Sequence, residues 1–228
     1  MRYSAILFDL DGTLVDSVPD ITSSINVMLN QLGHAALSSE RISTFLGKGM
    51  DHLIKLALLE AKAGAELSSA CFDQARSLFS EHYLWQSEHS VSSVFPGVFA
   101  GLDAFKAAGC QLAVVTNKPI EFVPSLLKQM SLDSHFDLLV GGNTCAQKKP
   151  HPMPFLYACE QLDVSPEQAL VIGDSSNDSI AARQAGIDVL IVPYGYNEGE
   201  SVQTLDCDGI VSSIAAAAVW AAQPKTIK

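Results

Sequence analysis

Two acidic residues stand near the beginning of the chain, directly after an apolar run. Asp9 and Asp11 follow residues 3–8, and Gly12 comes next. A short apolar run that ends at a turn is typical of a buried strand, and glycine allows that turn to be tight. Two carboxylates at the end of a buried strand repel each other and lose solvation, so we expect a divalent cation to compensate both. Oxygen ligands of this kind are those that Mg²⁺ prefers.

Polar residues also follow later apolar runs of the chain. Residues 111–116, 136–140 and 169–173 are such runs, and helical patterns separate them. Apolar strands that alternate with helices predict a parallel sheet covered on both faces, which binds ligands beyond the carboxyl ends of its strands. At that edge we expect, besides Asp9 and Asp11, the side chains of Thr116, Asn117, Lys148, Lys149, Asp174, Asn177 and Asp178.

This set of side chains suits transfer of a phosphoryl group to a carboxylate. An anionic nucleophile must approach an anionic phosphate, so catalysis depends on positioning and on charge neutralisation. Asp9 and Asp174 can supply the carboxylates that hold a metal between nucleophile and phosphate. Lys149 can hold the nucleophile and a phosphate oxygen, and Asp11 can protonate the leaving oxygen and then deprotonate the attacking water.

Each of these residues also has an ordinary structural interpretation. Thr116 and Asn117 can donate hydrogen bonds to phosphate oxygens, but they can also cap the helix that follows. Taken alone, Lys149 is a loop lysine before a proline and Asp174 is a helix cap. The combination at successive strand ends is what favours a catalytic site.

Residues 17–87 differ from the rest of the chain in the spacing of their apolar residues. Apolar residues recur there at helical spacing, for example over residues 21–32 and 50–63. We predict no strand between residues 17 and 88. The chain therefore carries an all-helical block inserted after its first strand.

Four stretches resemble, in order, the motifs of the haloacid dehalogenase superfamily, most of whose members are phosphatases. They cover residues 9–13 (DLDGT), 114–118 (VVTNK), 149–150 (KP) and 173–178 (GDSSND). The resemblance spans the chain and implies an α/β fold, with a Rossmann-like parallel sheet core and an inserted all-helical cap domain. It implies that residues 1–16 and 88–228 form the core and that residues 17–87 form the cap.

The resemblance also implies a role for each motif residue. Asp9 would attack phosphorus and form an aspartyl-phosphate, while Asp11 would be the general acid and base. Mg²⁺ would be bound by Asp9, by the backbone carbonyl of Asp11 and by Asp174, with Asp178 behind these ligands. The predicted site comprises Asp9, Asp11 and Lys149 as catalytic residues, Thr13, Thr116, Asn117, Lys149, Gly47 and Lys48 as substrate-binding residues, and Asp9, Asp11, Asp174 and Asp178 as metal-binding residues.

Two further stretches resemble the phosphoglycolate phosphatase subfamily, namely residues 148–152 (KKPHP) and 192–200 (VPYGYNEGE). The substrate implied is a small phosphorylated metabolite, 2-phosphoglycolate, which would yield glycolate. In the predicted cap, glycines at positions 47 and 49 would let the backbone approach a ligand, and Lys48 could meet a substrate carboxylate. A plain turn with a solvated lysine is the alternative.

Other activities share parts of this pattern. β-Phosphoglucomutase-like and pyrophosphatase enzymes share all four motifs, and a phosphonatase would need a cap lysine such as Lys48, Lys55 or Lys62. A phospho-accepting signalling receiver also has Asp, Thr and Lys at strand ends, but the helical insertion argues against it. An inert binding protein is disfavoured because all the required residues are present.

Composition limits the partners. The chain has 228 residues and a formal net charge of −11, which argues against nucleic acid and anionic membranes. Its five cysteines are scattered without a CxxC pair, as expected in a reducing cytoplasm. No signal peptide or membrane-spanning segment is predicted. Both a monomer and a homodimer remain open.

Overall fold

The computed structural model describes residues 2–61 and 67–223. The strands are β1 (Ala5–Phe8), β2 (Val15–Asp16), β3 (Ser93–Val94), β4 (Gln111–Val115), β5 (Leu138–Val140), β6 (Ala169–Gly173), β7 (Asp188–Ile191) and β8 (Gly209–Ile210). The α-helices are α1 (Val18–Gln31), α2 (Ser39–Ser43), α3 (Met50–Ala61), α4 (Ser69–Glu88), α5 (Val98–Ala107), α6 (Val123–Gln129), α7 (Met153–Gln161), α8 (Ser176–Ala185) and α9 (Ile214–Ala221). Short 3₁₀ turns occupy Ile120–Phe122, Asp133–His135, Pro166–Gln168 and Val202–Thr204.

Six of these strands form one sheet in the order β5-β4-β1-β6-β7-β8. Every pair of neighbours runs parallel, and β1 lies at the centre, with Phe8 opposite Val114 of β4 and Ile172 of β6. The predicted α/β class with a parallel sheet is thereby confirmed.

Alternate side chains of β1 enter two separate hydrophobic layers. Ile6 and Phe8 pack in the layer that includes α5, α6 and α9, whereas Ala5 and Leu7 pack in the layer that includes α7 and α8. Successive side chains of a strand point to opposite faces, so a strand covered on both faces must be apolar throughout. This explains why β1 reads as a continuous apolar run.

The helices α1 to α4 form a third hydrophobic cluster, which Phe122 from the 3₁₀ turn after β4 also joins. They lie between β2 and β3, which pair antiparallel and carry the chain out of the sheet layer and back. The sequence does not predict this ribbon or β8, because two-residue strands are too short to show periodicity. No strand interrupts the described residues between α1 and α4, as predicted. The division into core and cap domains stays a prediction.

Two predicted helices differ from the observed ones. The helix predicted over residues 50–63 is observed as Met50–Ala61, while residues 62–66, with Lys62, and residues 224–228 lie outside the described part of the chain. The helical segment predicted between the apolar runs 111–116 and 136–140 begins as a 3₁₀ turn, and α6 starts only at Val123, with Pro124 in its first turn. Proline is tolerated there because its missing N–H has no partner in a first helical turn. Within the described residues, no helix has both the length and the apolar composition needed to cross a membrane.

Candidate active site

The parallel sheet brings three sequence-distant segments to one edge. Asp9 follows β1, Thr116 follows β4 and Asp174 follows β6, and β1 lies between the other two strands. The backbone N–H of Asp9 donates to the carbonyl of Ile172 at 3.0 Å, and that of Thr116 donates to Val140 at 2.9 Å. Strand pairing thus continues up to Asp9 and Thr116 and fixes the backbone positions from which their side chains project.

Three buried carboxylates meet at this edge. Asp9, Asp174 and Asp178 each place one oxygen within 4.8 Å of the others. Burial raises the pKa of Asp9 to about 6, with Lys149 opposing the increase and Asp178 adding to it. Burial, followed by the charges of Asp9 and Asp178, raises the pKa of Asp174 well above its ordinary value. Burial and mutual repulsion therefore both disfavour the charged forms of Asp9 and Asp174, and a divalent cation would offset these two costs.

Lys149 lies inside the cluster and is 2% exposed. Its ammonium group donates to Asp9 Oδ1 at 2.8 Å, to Asp178 Oδ1 at 2.6 Å and to the carbonyl of Val115 at 2.8 Å. Burial alone lowers the pKa of this lysine, but the charges of Asp178 and Asp9 outweigh burial and raise it. All three ammonium donors are used, so Lys149 is a fixed cation between two carboxylates.

Asp178 holds the lysine in place from the first turn of α8. Its Oδ2 accepts hydrogen bonds from the Ser175 hydroxyl at 2.8 Å and from the backbone N–H groups of Asp174 and Ser175 at 3.3 and 3.2 Å. Its other oxygen is the one bonded to Lys149. Both oxygens of this predicted metal-binding residue are therefore engaged by the protein.

Asp174 sits in a tight cradle. A Cβ at Gly12 would lie 2.3 Å from Asp174 Oδ2, and a Cβ at Gly195 would lie 2.2 Å from the same atom. Gly12 also adopts φ +90, which residues with side chains rarely do. The Thr13 hydroxyl donates to Asp174 Oδ1 at 3.1 Å, and the backbone N–H of Tyr196 donates to Oδ2. The structure thus places Thr13, predicted as a substrate-binding residue, against a predicted metal ligand.

Asp11 is paired with Lys118, a residue that has no role in the sequence-based prediction. The ammonium of Lys118 donates to both carboxylate oxygens of Asp11, at 2.9 and 3.0 Å. The backbone N–H of Lys118 donates to the Thr116 hydroxyl at 3.1 Å. The available signal was the run of three polar residues after β4, of which only Thr116 and Asn117 were assigned a function.

Asn117 joins the sheet edge to the loop before α3. Its amide nitrogen donates to the carbonyl of Gly47 at 2.8 Å and to the carbonyl of Lys149 at 2.9 Å. Gly47 adopts φ +110 there. The predicted substrate-binding residues Asn117 and Gly47 are thus brought together, with the side chain of the first holding the backbone of the second.

Lys48 lies in the same loop as Gly47, but its side chain bonds to Glu198. Its ammonium donates to Glu198 Oε2 at 2.6 Å, and its backbone carbonyl accepts from the ammonium of Lys148 at 2.7 Å. The structure does not place the Lys48 side chain in the cavity above Asp9.

That cavity lies between the sheet edge and the helical block. One wall is polar and the other is largely apolar. The polar wall consists of Asp9, Asp11, Thr116, Asn117 and Lys118, and the side facing it includes Ile21, Leu46, Met50, Leu53, Phe79 and Tyr83.

Comparisons with known proteins agree with this geometry. The family model described as haloacid dehalogenase-like hydrolase matches residues 6–192. Curated relatives named phosphoglycolate phosphatase include one from Nitrosospira multiformis, 44% identical over 92% of each chain, and one from Thiobacillus denitrificans, 44% identical over 94% of each chain. The crystal structure of a predicted phosphoglycolate phosphatase from Haemophilus somnus superimposes with a TM-score of 0.92 at 36% identity, covering 97% of this chain and 99% of that one. The resemblance inferred from the four sequence motifs is confirmed.

Proposed function

This chain belongs to the haloacid dehalogenase-like hydrolase family, and on that premise we propose that it is a Mg²⁺-dependent phosphatase that converts 2-phosphoglycolate into glycolate and phosphate. The relatives from Nitrosospira multiformis and Thiobacillus denitrificans, which carry that enzyme name, support the substrate. The observation that carries the chemistry is the placement of Lys149 between Asp9 and Asp178 at the edge of the sheet.

Asp9 is the proposed nucleophile. Lys149 binds its Oδ1, and Asp9 lines the cavity in which a substrate would lie. Fixing one oxygen orients the other for in-line attack on phosphorus, because the side chain can no longer rotate freely. The product of this step is an aspartyl-phosphate, which water then hydrolyses.

Asp11 is the proposed general acid and base. It lines the same cavity two residues after Asp9, and Lys118 holds its carboxylate there. In its protonated form, Asp11 would give its proton to the ester oxygen that leaves phosphorus. The resulting carboxylate would then accept a proton from the water that attacks the aspartyl-phosphate.

The donor set fits Mg²⁺. Asp9 and Asp174 supply carboxylate oxygens at close range, and the pKa values of both groups are raised by burial first and by neighbouring carboxylates second, costs that a bound cation would offset. We propose that these two carboxylates and the backbone carbonyl of Asp11 hold the ion. When bound, Mg²⁺ would reduce the repulsion between Asp9 and the phosphate. The bonds from Thr13 and Tyr196 orient Asp174 for that role, and Asp178 positions Lys149.

Thr116 and Asn117 are the proposed phosphate-binding residues. Both line the cavity beside Asp9. The Asn117 amide would have to leave the carbonyl of Gly47 or of Lys149 in order to donate to a phosphate oxygen. Contact between substrate and Gly47 is also proposed, since this residue lines the cavity through the loop that Asn117 holds.

Phosphate release from a small substrate panel tests the proposal. The panel contains 2-phosphoglycolate, a hexose phosphate, pyrophosphate and phosphonoacetaldehyde, each with Mg²⁺ and with a chelator. We expect 2-phosphoglycolate to be preferred and its turnover to stop on chelation, with the Asp9→Asn protein as the inactive control. Metal-dependent turnover of another compound instead would keep the mechanism and refute the substrate. A cytoplasmic location and a monomeric or dimeric state stay predictions from the sequence.

A further inference from the structure

The cavity above Asp9 has an uneven distribution of charge. Among the described residues that line it, Lys118 carries the positive charge, while Asp9 and Asp11 are acidic and the others are neutral. Lys149 is bonded to Asp9 but does not line the cavity, and its three donors are already bonded to the protein. A second anionic group on a bound phosphate ester would therefore meet Lys118 rather than Lys149.

Lys118 is held ready for such a contact. Its backbone N–H donates to the Thr116 hydroxyl at 3.1 Å, and its carbonyl accepts from Gly142 N–H at 2.8 Å. Its side chain is 6% exposed, and its ammonium lies 4.8 Å from the centroid of the Tyr83 ring. Because the backbone and side chain are fixed before binding, little conformational entropy is lost when a ligand contacts the ammonium.

The ammonium also has bonding capacity for a ligand. It carries three N–H donors: Asp11 accepts two of them, one at each carboxylate oxygen, and the Tyr83 hydroxyl is a further partner. A substrate carboxylate can take the place of the neutral Tyr83 hydroxyl while the lysine keeps a bond to Asp11. In 2-phosphoglycolate only an oxygen and a methylene separate the phosphorus from the carboxylate. A phosphate within reach of Asp9 therefore places the carboxylate near Asp11 and Lys118, which line the same wall of the cavity.

We propose that Lys118 binds the carboxylate of the substrate and so selects small phosphate esters that carry an acidic group. This assignment rests on the proposed function, since it concerns the specificity of the same site. It also differs from the sequence-based prediction, which gave that contact to Lys48. Lys48 would first have to leave Glu198, to which its ammonium donates at 2.6 Å.

Selectivity between two substrates tests the assignment. Rates are measured on 2-phosphoglycolate and on 2-hydroxyethyl phosphate, in which a neutral alcohol replaces the carboxylate. For Lys118→Met we expect kcat/KM for 2-phosphoglycolate to fall about 10- to 100-fold further than kcat/KM for the neutral ester, mainly through KM. The ratio is decisive because any effect on Asp11 slows both substrates and cancels. Lys128→Met, which changes an exposed lysine of α6 in the same way, is expected to keep the wild-type ratio.

Three results would refute either the assignment of Lys118 or the proposed function on which it rests. An equal loss on both substrates would show that Lys118 acts only through Asp11. A selectivity loss confined to Lys48→Met would assign the carboxylate to Lys48. If the wild-type protein itself does not prefer 2-phosphoglycolate, the proposed function fails, and this is seen before any variant is compared. Lys118→Gln, which can still donate to Asp11, repeats the test if the methionine variant does not fold, and we expect the same loss of selectivity.

Discussion

Replacing Lys149 by Met should destabilise the metal-free protein severely as well as inactivate it. The side chain is buried and its ammonium is the shared partner of Asp9 and Asp178. Met has a similar length and flexibility, so the substitution removes the charge without leaving a large cavity. Two buried carboxylates then remain without the cation that faces both.

The size of the effect follows from the cost of an unpaired buried charge. Removing one partner of a buried ion pair costs about 3–5 kcal/mol. In a protein of this length, each kcal/mol lowers Tm by about 2–4 °C, so we expect Tm to fall by about 6–20 °C. Lys128→Met, an exposed lysine changed in the same way, should shift Tm by less than about 2 °C.

The loss should shrink as the pH is lowered. Lys149 lowers the pKa of Asp9, which burial raises to about 6 in the wild-type protein, so the variant should have a still higher pKa at Asp9. A folded state that binds a proton more tightly than the unfolded chain gains stability as the pH falls through the raised pKa. The gap in Tm between variant and wild type should therefore be wider at pH 8 than at pH 5.5.

Thermal unfolding in EDTA at these two pH values measures both effects. A variant that unfolds within about 2 °C of wild type at pH 8 would refute the idea that Lys149 compensates the two carboxylates. A gap that widens on acidification would refute the assignment of the effect to carboxylate charge. Circular dichroism of the folded variant separates loss of activity from loss of structure.

Other substitutions test the remaining assignments. Asp9→Asn should lower phosphate release more than about 1,000-fold with an unchanged circular dichroism spectrum, and near-normal activity would remove the nucleophile. Asp11→Asn should let the aspartyl-phosphate accumulate in acid-quenched samples; unchanged rates of its formation and hydrolysis would contradict the acid/base role. Asp174→Asn should abolish the increase in Tm that saturating Mg²⁺ gives, which for wild type at 100 times Kd corresponds to about 2.7 kcal/mol. Gly12→Ala should weaken Mg²⁺ binding, because its Cβ would lie 2.3 Å from Asp174 Oδ2, and calorimetric titration that finds wild-type affinity would contradict this.

Much of the fold and the position of the site could be predicted from the sequence because both depend on local patterns. The apolar run of β1 identified a strand buried on both faces, and the polar residues after β1, β4 and β6 identified the edge where a site would form. Parallel strands end at the same edge, so the sequence placed Asp9, Thr116 and Asp174 at one edge, and the strand order β4-β1-β6 then made them neighbours. The ribbon of β2 and β3 was not predicted, since two residues carry no period.

The partner of each polar side chain was decided only in the folded chain. Thr13 donates to Asp174, and Lys118 pairs with Asp11, although these pairs are 161 and 107 residues apart in the sequence. Lys48 likewise meets Glu198, 150 residues away, rather than the cavity. The sequence shows which residues follow directly after each strand, because a strand's extent depends on the local pattern of apolar residues. Which donor then satisfies which buried carboxylate depends on how loops from separate segments pack, and only the tertiary structure fixes that packing.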